Sequence, residues 1–273
     1  MEIVLDVFEQ SDKYHQYKLQ ELGKILASDR YGLVAGVIDI TPVLDELKIL
    51  VRNLYALTPQ GTVMVVDALE QSFSAQQDGY ILIQPKGYKV TEADGISYET
   101  PIYDCICTRD VADGIIIGKI ANGHLEESYI PPCYRIDASS NLKKVYEDCI
   151  RLLPAIEMKM KEKKIAGDTT LFELLEIELC QYNLRESPKE LYILLTKIVY
   201  CLHKLHPAPL LPRLAVFDDR KIGEEILPMK EFLRVFYSEL DNVIEPKREE
   251  IVEPKVEEVV EEMPVGREYE FRI

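Results

Sequence analysis

The sequence predicts an α+β protein: an N-terminal antiparallel β-sandwich, then a helical bundle, then a flexible acidic C-terminal tail. Three observations carry this. Up to about residue 140 the apolar residues fall in short runs bounded by turn residues, as strands do, and beyond it they recur three and four apart, as on helices. From Val243 onward a Glu- and Pro-rich near-repeat replaces both patterns. The boundaries follow as 1–137 for the sandwich, 138–242 for a four-helix bundle and 243–273 for the tail.

The first part opens with one amphipathic helix, Ser11 to Ser28, in which Leu19, Leu22 and Leu26 share a face. Strands follow at Gly32 to Ile40, Leu47 to Leu57, Gly61 to Asp67, Tyr80 to Gln84, Pro101 to Thr108 and Gly114 to Ile120. They are rich in Val, Ile, Leu and Tyr and are separated by turn signals such as Pro59-Gln60-Gly61, Asp78-Gly79 and Asn122-Gly123. Short antiparallel strands with tight turns read as a sandwich or barrel.

The second part begins with Leu142, Val145, Cys149, Leu152 and Ile156, one apolar stripe on a helix reaching to about Lys161. A second helix has Asp168 as its N-cap and apolar residues on more than one face, including Leu171, Leu174 and Ile177, which predicts a central position. Ser187-Pro188-Lys189-Glu190 is the clearest local signal: an N-cap hydroxyl, a proline at the first helical position and a capping-box glutamate. Its helix buries Leu191, Leu195, Ile198, Leu202 and Leu205. After the proline-rich connector His206 to Pro212, a fourth helix opens at Pro228 and buries Phe232, Leu233, Phe236 and Leu240.

The tail repeats Val243-Ile-Glu-Pro-Lys-Arg-Glu-Glu250 as Ile251-Val-Glu-Pro-Lys-Val-Glu-Glu258. Residues 245–262 hold eight Glu against three Lys or Arg, net −5, with prolines at 246 and 254 blocking a continuous helix. This predicts a tether. It ends in Arg267 to Ile273, where Tyr269, Phe271 and Ile273 alternate with polar residues as in a half-buried strand that could dock on a sheet edge.

Composition excludes several functions. With 32 Lys and Arg against 48 Asp and Glu, the net charge of −16 repels a phosphate backbone, so nucleic acid is not an expected partner. No stretch reaches the ~18 to 20 apolar residues of a membrane span, and the N-terminus lacks the basic and small-residue marks of a secretory signal. A cytoplasmic protein with reduced, mostly buried cysteines is expected.

Candidate chemistry is sparse. Cys105 and Cys107 share a strand face, but a zinc site needs about four ligands and a wider Cys spacing. His203 and His206 sit at a helix end closed by Pro207, where histidines also favour the dipole. Asp39, Asp45, Glu46, Asp218 and Asp219 read as solvated carboxylates in an acidic chain. Gly114 and Gly118 flank an apolar strand and form no phosphate loop. The expectation is no enzyme, no cofactor, no metal and no catalytic residue. The feature that stands out is Tyr129-Ile130-Pro131-Pro132-Cys133, whose paired prolines fix a rigid hinge into the first bundle helix.

Four stretches resemble the TssK family, the baseplate component of bacterial type VI secretion systems. Val7 to Tyr14 resembles its His-Phe-Gln-Gln-x-Asp-Arg-Tyr segment through Phe8, Gln10, Asp12 and Tyr14, with Val7 in place of the histidine. Tyr31-Gly32-Leu33 with Ile38-Asp39 resembles its Tyr-Gly-x-x-x-Leu-x-x-Asp strand, and Leu57 to Val63 its Leu-Pro-Asp-Gly-Thr turn. Tyr129-Ile-Pro-Pro-Cys-Tyr134 resembles the Phe-Ile-Pro-Pro-Cys-Leu hinge, the most specific of the four.

The resemblance implies a β "shoulder" akin to phage receptor-binding proteins, a helical "neck", a homotrimer, and binding of the wedge proteins TssF and TssG by the shoulder. Leu142, Val145, Cys149, Leu152 and Ile156 are then expected at the neck's subunit interface, since two heptads alone could not hold a coiled coil. A counterpart of the family's C-terminal head, which engages the membrane complex, is not expected here, which suggests a divergent, Bacteroidetes-type lineage and gives the tail as the replacement contact. The expected function is a structural adaptor at the cytoplasmic face of the inner membrane. A baseplate or receptor-binding protein of a tailed phage or other contractile particle is the alternative, and a small-molecule-binding or enzymatic β domain a second one.

Overall fold

The structure is a computed structural model. It describes residues 14–242 except 16, 20, 26–29, 44–45, 75–77, 94–95, 110–113, 166–168 and 208. Val7, Phe8, Gln10, Asp12, Leu26 and the tail residues Tyr269, Phe271 and Ile273 therefore lie outside the described residues.

Among the described residues, seven strands form two antiparallel sheets. β1 (Gly32–Val43), β2 (Glu46–Leu57) and β3 (Val63–Ser74) make a meander in the order β1-β2-β3. β4 (Gly79–Ala93), β5 (Ile96–Thr108), β6 (Ile115–Ala121) and β7 (His124–Leu125) pair in the order β5-β4-β6-β7. The strands form because their apolar residues alternate: on β2, Leu47, Ile49 and Val51 are buried while Lys48 and Arg52 face water. Ile115, Ile116 and Ile117 are all buried, as expected of a strand covered on both faces. Asn122 and Gly123 take φ of 55° and 74°, the left-handed pair of a tight hairpin turn, so the Asn-Gly signal joins β6 to β7.

The two sheets meet at both edges, β1 against β6 and β3 against β5. At the second seam side chains stand in for a backbone ladder. The Gln71 amide donates to the Cys105 carbonyl (2.8 Å) and accepts from the Cys105 N–H (2.9 Å), and the Val65 N–H donates to the Tyr103 hydroxyl (3.3 Å). A primary amide matches one peptide rung, so the strand edge is closed at that point.

β3, β4 and β5 run well past their expected ends. β4 pairs with β6 only over Gly79 to Ile83, and beyond Gln84 its one partner is β5. This two-stranded arm faces water on both sides, with Tyr88, Val90 and Ile102 exposed, which is why the sequence there lacks a buried-strand pattern.

The bundle comprises α1 (Ser140–Glu162), α2 (Thr170–Gln181), α3 (Pro188–Leu205) and α4 (Ile222–Glu239). Ser139 caps α1 by accepting from the Leu142 N–H, and Ser187 caps α3 by accepting from the Glu190 N–H, both at 3.3 Å. Pro188 occupies the first turn of α3 as its sequence demands. α1 packs on α4, and α3 on α2 and α4. The buried Lys159 of α1 ties this pair at its far end, donating to the Tyr237 carbonyl (2.9 Å) and pairing with Asp241 (2.7 Å).

Three expectations are corrected. α4 opens at Ile222 rather than Pro228, because Ile222, Ile226, Met229, Leu233 and Phe236 form one buried stripe whose burial outweighs the hydrogen bond lost at Pro228. α2 is peripheral rather than central: Phe172, Leu175 and Leu179 are buried, but Leu171, Leu174 and Ile177 are exposed. On α1, Leu142, Val145, Cys149 and Ile156 are buried and Leu152 half-buried within the chain's own core. The stripe expected between subunits is closed inside one chain, since α4 supplies the apolar partner.

Candidate functional site: the joint between sandwich and bundle

The chain leaves the sandwich through Ile130, Pro131, Pro132 and Cys133, all buried. The segment lies parallel to the start of β1 in an isolated bridge, Leu33 to Cys133. The Leu33 N–H donates to the Pro132 carbonyl (2.9 Å) and the Tyr134 N–H donates to the Leu33 carbonyl (2.8 Å). The Cys133 thiol donates to the Pro131 carbonyl at 2.9 Å, and burial raises its pKa well above the ordinary thiol value. The expected hinge is thus a strap held by backbone bonds.

Gly32 makes this possible. At φ +116° a side chain is strained, and an added Cβ would lie 2.2 Å from the Pro132 carbonyl oxygen. The motifs containing Tyr31-Gly32-Leu33 and Ile130-Pro-Pro-Cys133 therefore touch. A third, the turn at Gly61, meets the N-terminal helical residues: a Cβ on Gly23 would stand 1.9 Å from the Gly61 carbonyl oxygen. Pro59 and Gln60 of that turn line a cleft together with Tyr31 and Pro132, so three of the four sequence resemblances converge on one locus.

Beside the strap lies a cleft of about 640 Å³, lined by Tyr31, Gln60, Ile116, Pro132, Phe217 and Asp219 among others. Its outer wall is the connector between α3 and α4. Tyr192 of α3 pins that connector, its hydroxyl donating to the Ala215 carbonyl (2.8 Å) and accepting from the Ala215 N–H (3.2 Å), with the Phe217 ring tilted against its own at 5.5 Å. Asp218 then takes a two-point grip on the Arg220 guanidinium (3.1 and 3.0 Å), which holds its carboxyl below the usual range. Asp219 is turned inward, where burial, reinforced by Asp218, pushes its carboxyl up to about 6. Burial and the same two carboxylates push the Tyr31 phenol up as well. The cleft is an acidic, partly shielded seam.

The remaining candidates sit elsewhere. His203 bonds the Pro209 carbonyl through Nδ1 (3.1 Å) and packs edge-on to Phe232, and His206 packs edge-on to Phe236. Cys105 is buried, and burial pushes its thiol up to about 12. Asp39 accepts from Thr41 on the surface. No group of three or more His, Cys, Asp or Glu among the described residues is placed to hold a metal ion. No helix among them is long and apolar enough to cross a membrane. Sequence reasoning missed the inward turn of Asp219 and the role of Gly32, because both depend on chain segments a hundred or so residues away.

The strap pairs with β1 as the chain enters the bundle, and apolar side chains are exposed on both parts. Among solved structures the chain is similar to a TssK crystal structure (TM-score 0.60, 12% identity, covering 84% of this chain and 66% of that one). It is also similar to TssK from the type VI secretion system of EAEC bound to a nanobody (TM-score 0.58, 11% identity, 84% and 68%). A third similarity is to a chain of a type VI TssK–TssF–TssG baseplate subcomplex (TM-score 0.57, 13% identity, 85% and 93%). At such identities the likeness establishes the fold: the chain has a TssK-like fold, and spans about two thirds of the first TssK chain. No protein-family model matches the sequence, and no curated protein does.

Two outcomes are expected. Gly32→Ala should destabilise the protein by roughly 2 kcal/mol or more, read as a lower urea midpoint at unchanged slope, since it adds backbone strain and a clash with the strap. Asp219 has a folded pKa above its unfolded value of 3.8. Its contribution to stability is therefore complete below about pH 4 and lost as pH rises through about 6. Asp219→Asn should flatten that part of the stability–pH curve and stabilise at pH 7 by about 1 kcal/mol, the carboxyl being only partly shielded from water.

Proposed function

We propose that this chain is a structural, non-enzymatic adaptor of a type VI secretion baseplate, a homotrimer whose β shoulder binds wedge proteins resembling TssF and TssG. The observation that carries this reading is the shared fold over 85% of the chain with a component of a TssK–TssF–TssG subcomplex. The joint supports it, because a strap without a free linker lets a load on the shoulder reach the neck. Its place is the cytoplasmic face of the inner membrane when assembled. The net charge of −16 disfavours nucleic acid as a partner.

In this reading the Leu142–Ile156 stripe gives each neck its shape and so presents the surface that three copies share. Tyr269, Phe271 and Ile273, carried on the acidic tether, make the second contact toward the membrane complex by adding a strand to a sheet edge.

Light scattering on the purified protein should give three times 31.4 kDa. Co-expression with the wedge proteins of the same secretion cluster should recover a stable complex. Deleting residues 243–273 should leave the trimer and wedge binding intact while removing the membrane-complex contact in a pull-down. A truncated chain that no longer folds or trimerises would show that the tail belongs to the core.

A further inference from the structure

The outer face of the bundle carries an apolar surface that one chain leaves uncovered. Leu171, Leu174 and Ile177 stand three apart on α2 and are 57%, 59% and 53% exposed. Helical spacing puts them on one ridge, opposite the buried Phe172, Leu175 and Leu179. Three large apolar side chains in a row on a two-faced helix exceed the scattered exposure normal for a surface. Next to the ridge, α3 turns Ile193, Lys197, Tyr200 and Lys204 outward. Between the helices runs an open groove of about 480 Å³, with the buried Leu175 and Cys201 at its base and the exposed Leu171, Tyr200, Lys197 and Lys204 along its sides.

Charge selects the occupant. The chain is strongly acidic, yet this groove is rimmed by two lysines, so it fits an apolar ridge flanked by carboxylates. α2 itself is such a ridge, with Glu173 and Glu178 flanking Leu174 and Ile177. Leu171 borders the groove and Leu174 and Ile177 continue the ridge away from it, so ridge and groove meet only between copies, Leu174 and Ile177 of one seated on the groove of the next. That contact is heterologous, and a heterologous contact closes into a ring when its rotation allows.

We propose that the neck assembles by seating the α2 ridge of each protomer in the α3 groove of its neighbour, a second copy of this chain. The proposal rests on the homotrimer reading above. It moves the subunit seam from the buried Leu142 stripe to exposed residues, and it assigns Lys197 and Lys204 as the groups that select the acidic flank.

The test uses the full chain and light scattering over a micromolar dilution series. Leu174→Asp with Ile177→Asp should yield a folded monomer, with its melting temperature as the check on folding, since both positions face water. Lys197→Glu with Lys204→Glu should weaken assembly by about tenfold or more by setting like charges against each other. Adding Glu173→Lys and Glu178→Lys to that variant should restore assembly, which a purely structural effect would not do. A wild-type protein that is monomeric throughout sinks the homotrimer reading itself. A wild-type trimer that survives Leu174→Asp with Ile177→Asp overturns this contact alone. Charge reversals without effect, alongside a disrupting apolar pair, would overturn the ridge-on-groove arrangement.

Discussion

Two backbone hydrogen bonds, from the Leu33 N–H to Pro132 and from the Tyr134 N–H to Leu33, set the relation of the two halves of the molecule. A connection between domains is ordinarily a free linker, and the domains move. Here the connecting segment is itself paired alongside β1, so the direction in which the chain enters α1 is fixed by the sheet. Proline suits this arrangement for a specific reason. Pro131 and Pro132 have no N–H to donate, and the bridge asks nothing of them, taking only the Pro132 carbonyl and the N–H of Tyr134. The ring-fixed backbone lowers the entropy cost of holding the strap straight. Gly32 is the complement to that rigidity, since any side chain would occupy the place of the Pro132 backbone.

Once the strap is fixed, the connector between α3 and α4 has to close over it, and the electrostatics of the joint follow. Asp218 is satisfied by Arg220, whereas Asp219 one residue on is carried inward by the turn that starts α4. Lys189 at the start of α3 is the cation that partly offsets its burial. A carboxyl in this position opposes the packing it sits in whenever it is ionised, so proton concentration and fold are coupled at the joint.

What the sequence disclosed, and what it hid, divides along a physical line. Periodicity reports whether a residue is buried, and it found β1 to β6 and the four bundle helices because their burial is local: β2 alternates, α3 carries its cap and proline within four residues. It could not report against what a residue is buried. The Leu142 stripe and the α2 stripe look alike as spacing, and only the packing of α1 against α4 makes the first a core and leaves the second a surface. The β4–β5 arm failed in the opposite sense. With no neighbour beyond the pair it has no buried face, so it has no alternation to find. Proline misled at α4, where a five-residue stripe beginning at Ile222 was a stronger signal than the single helix-breaking residue inside it.

The uncovered apolar surface is also divided between the two halves. On the sandwich it includes the arm, Tyr88, Val90 and Ile102, and on the bundle it includes the α2 ridge and its groove. An exposed surface on a domain that swings freely would let each contact form without consequence for the other. Because the strap removes that freedom, the orientation of whatever binds the bundle determines the orientation presented by the sandwich. Copies joined through their bundles would therefore hold their sandwiches in a fixed mutual arrangement, and a partner bridging two of them would gain from not having to order them. Rigidity at Gly32 and association at α2 are in this sense one property of the molecule, since the second yields a defined assembly only while the first holds.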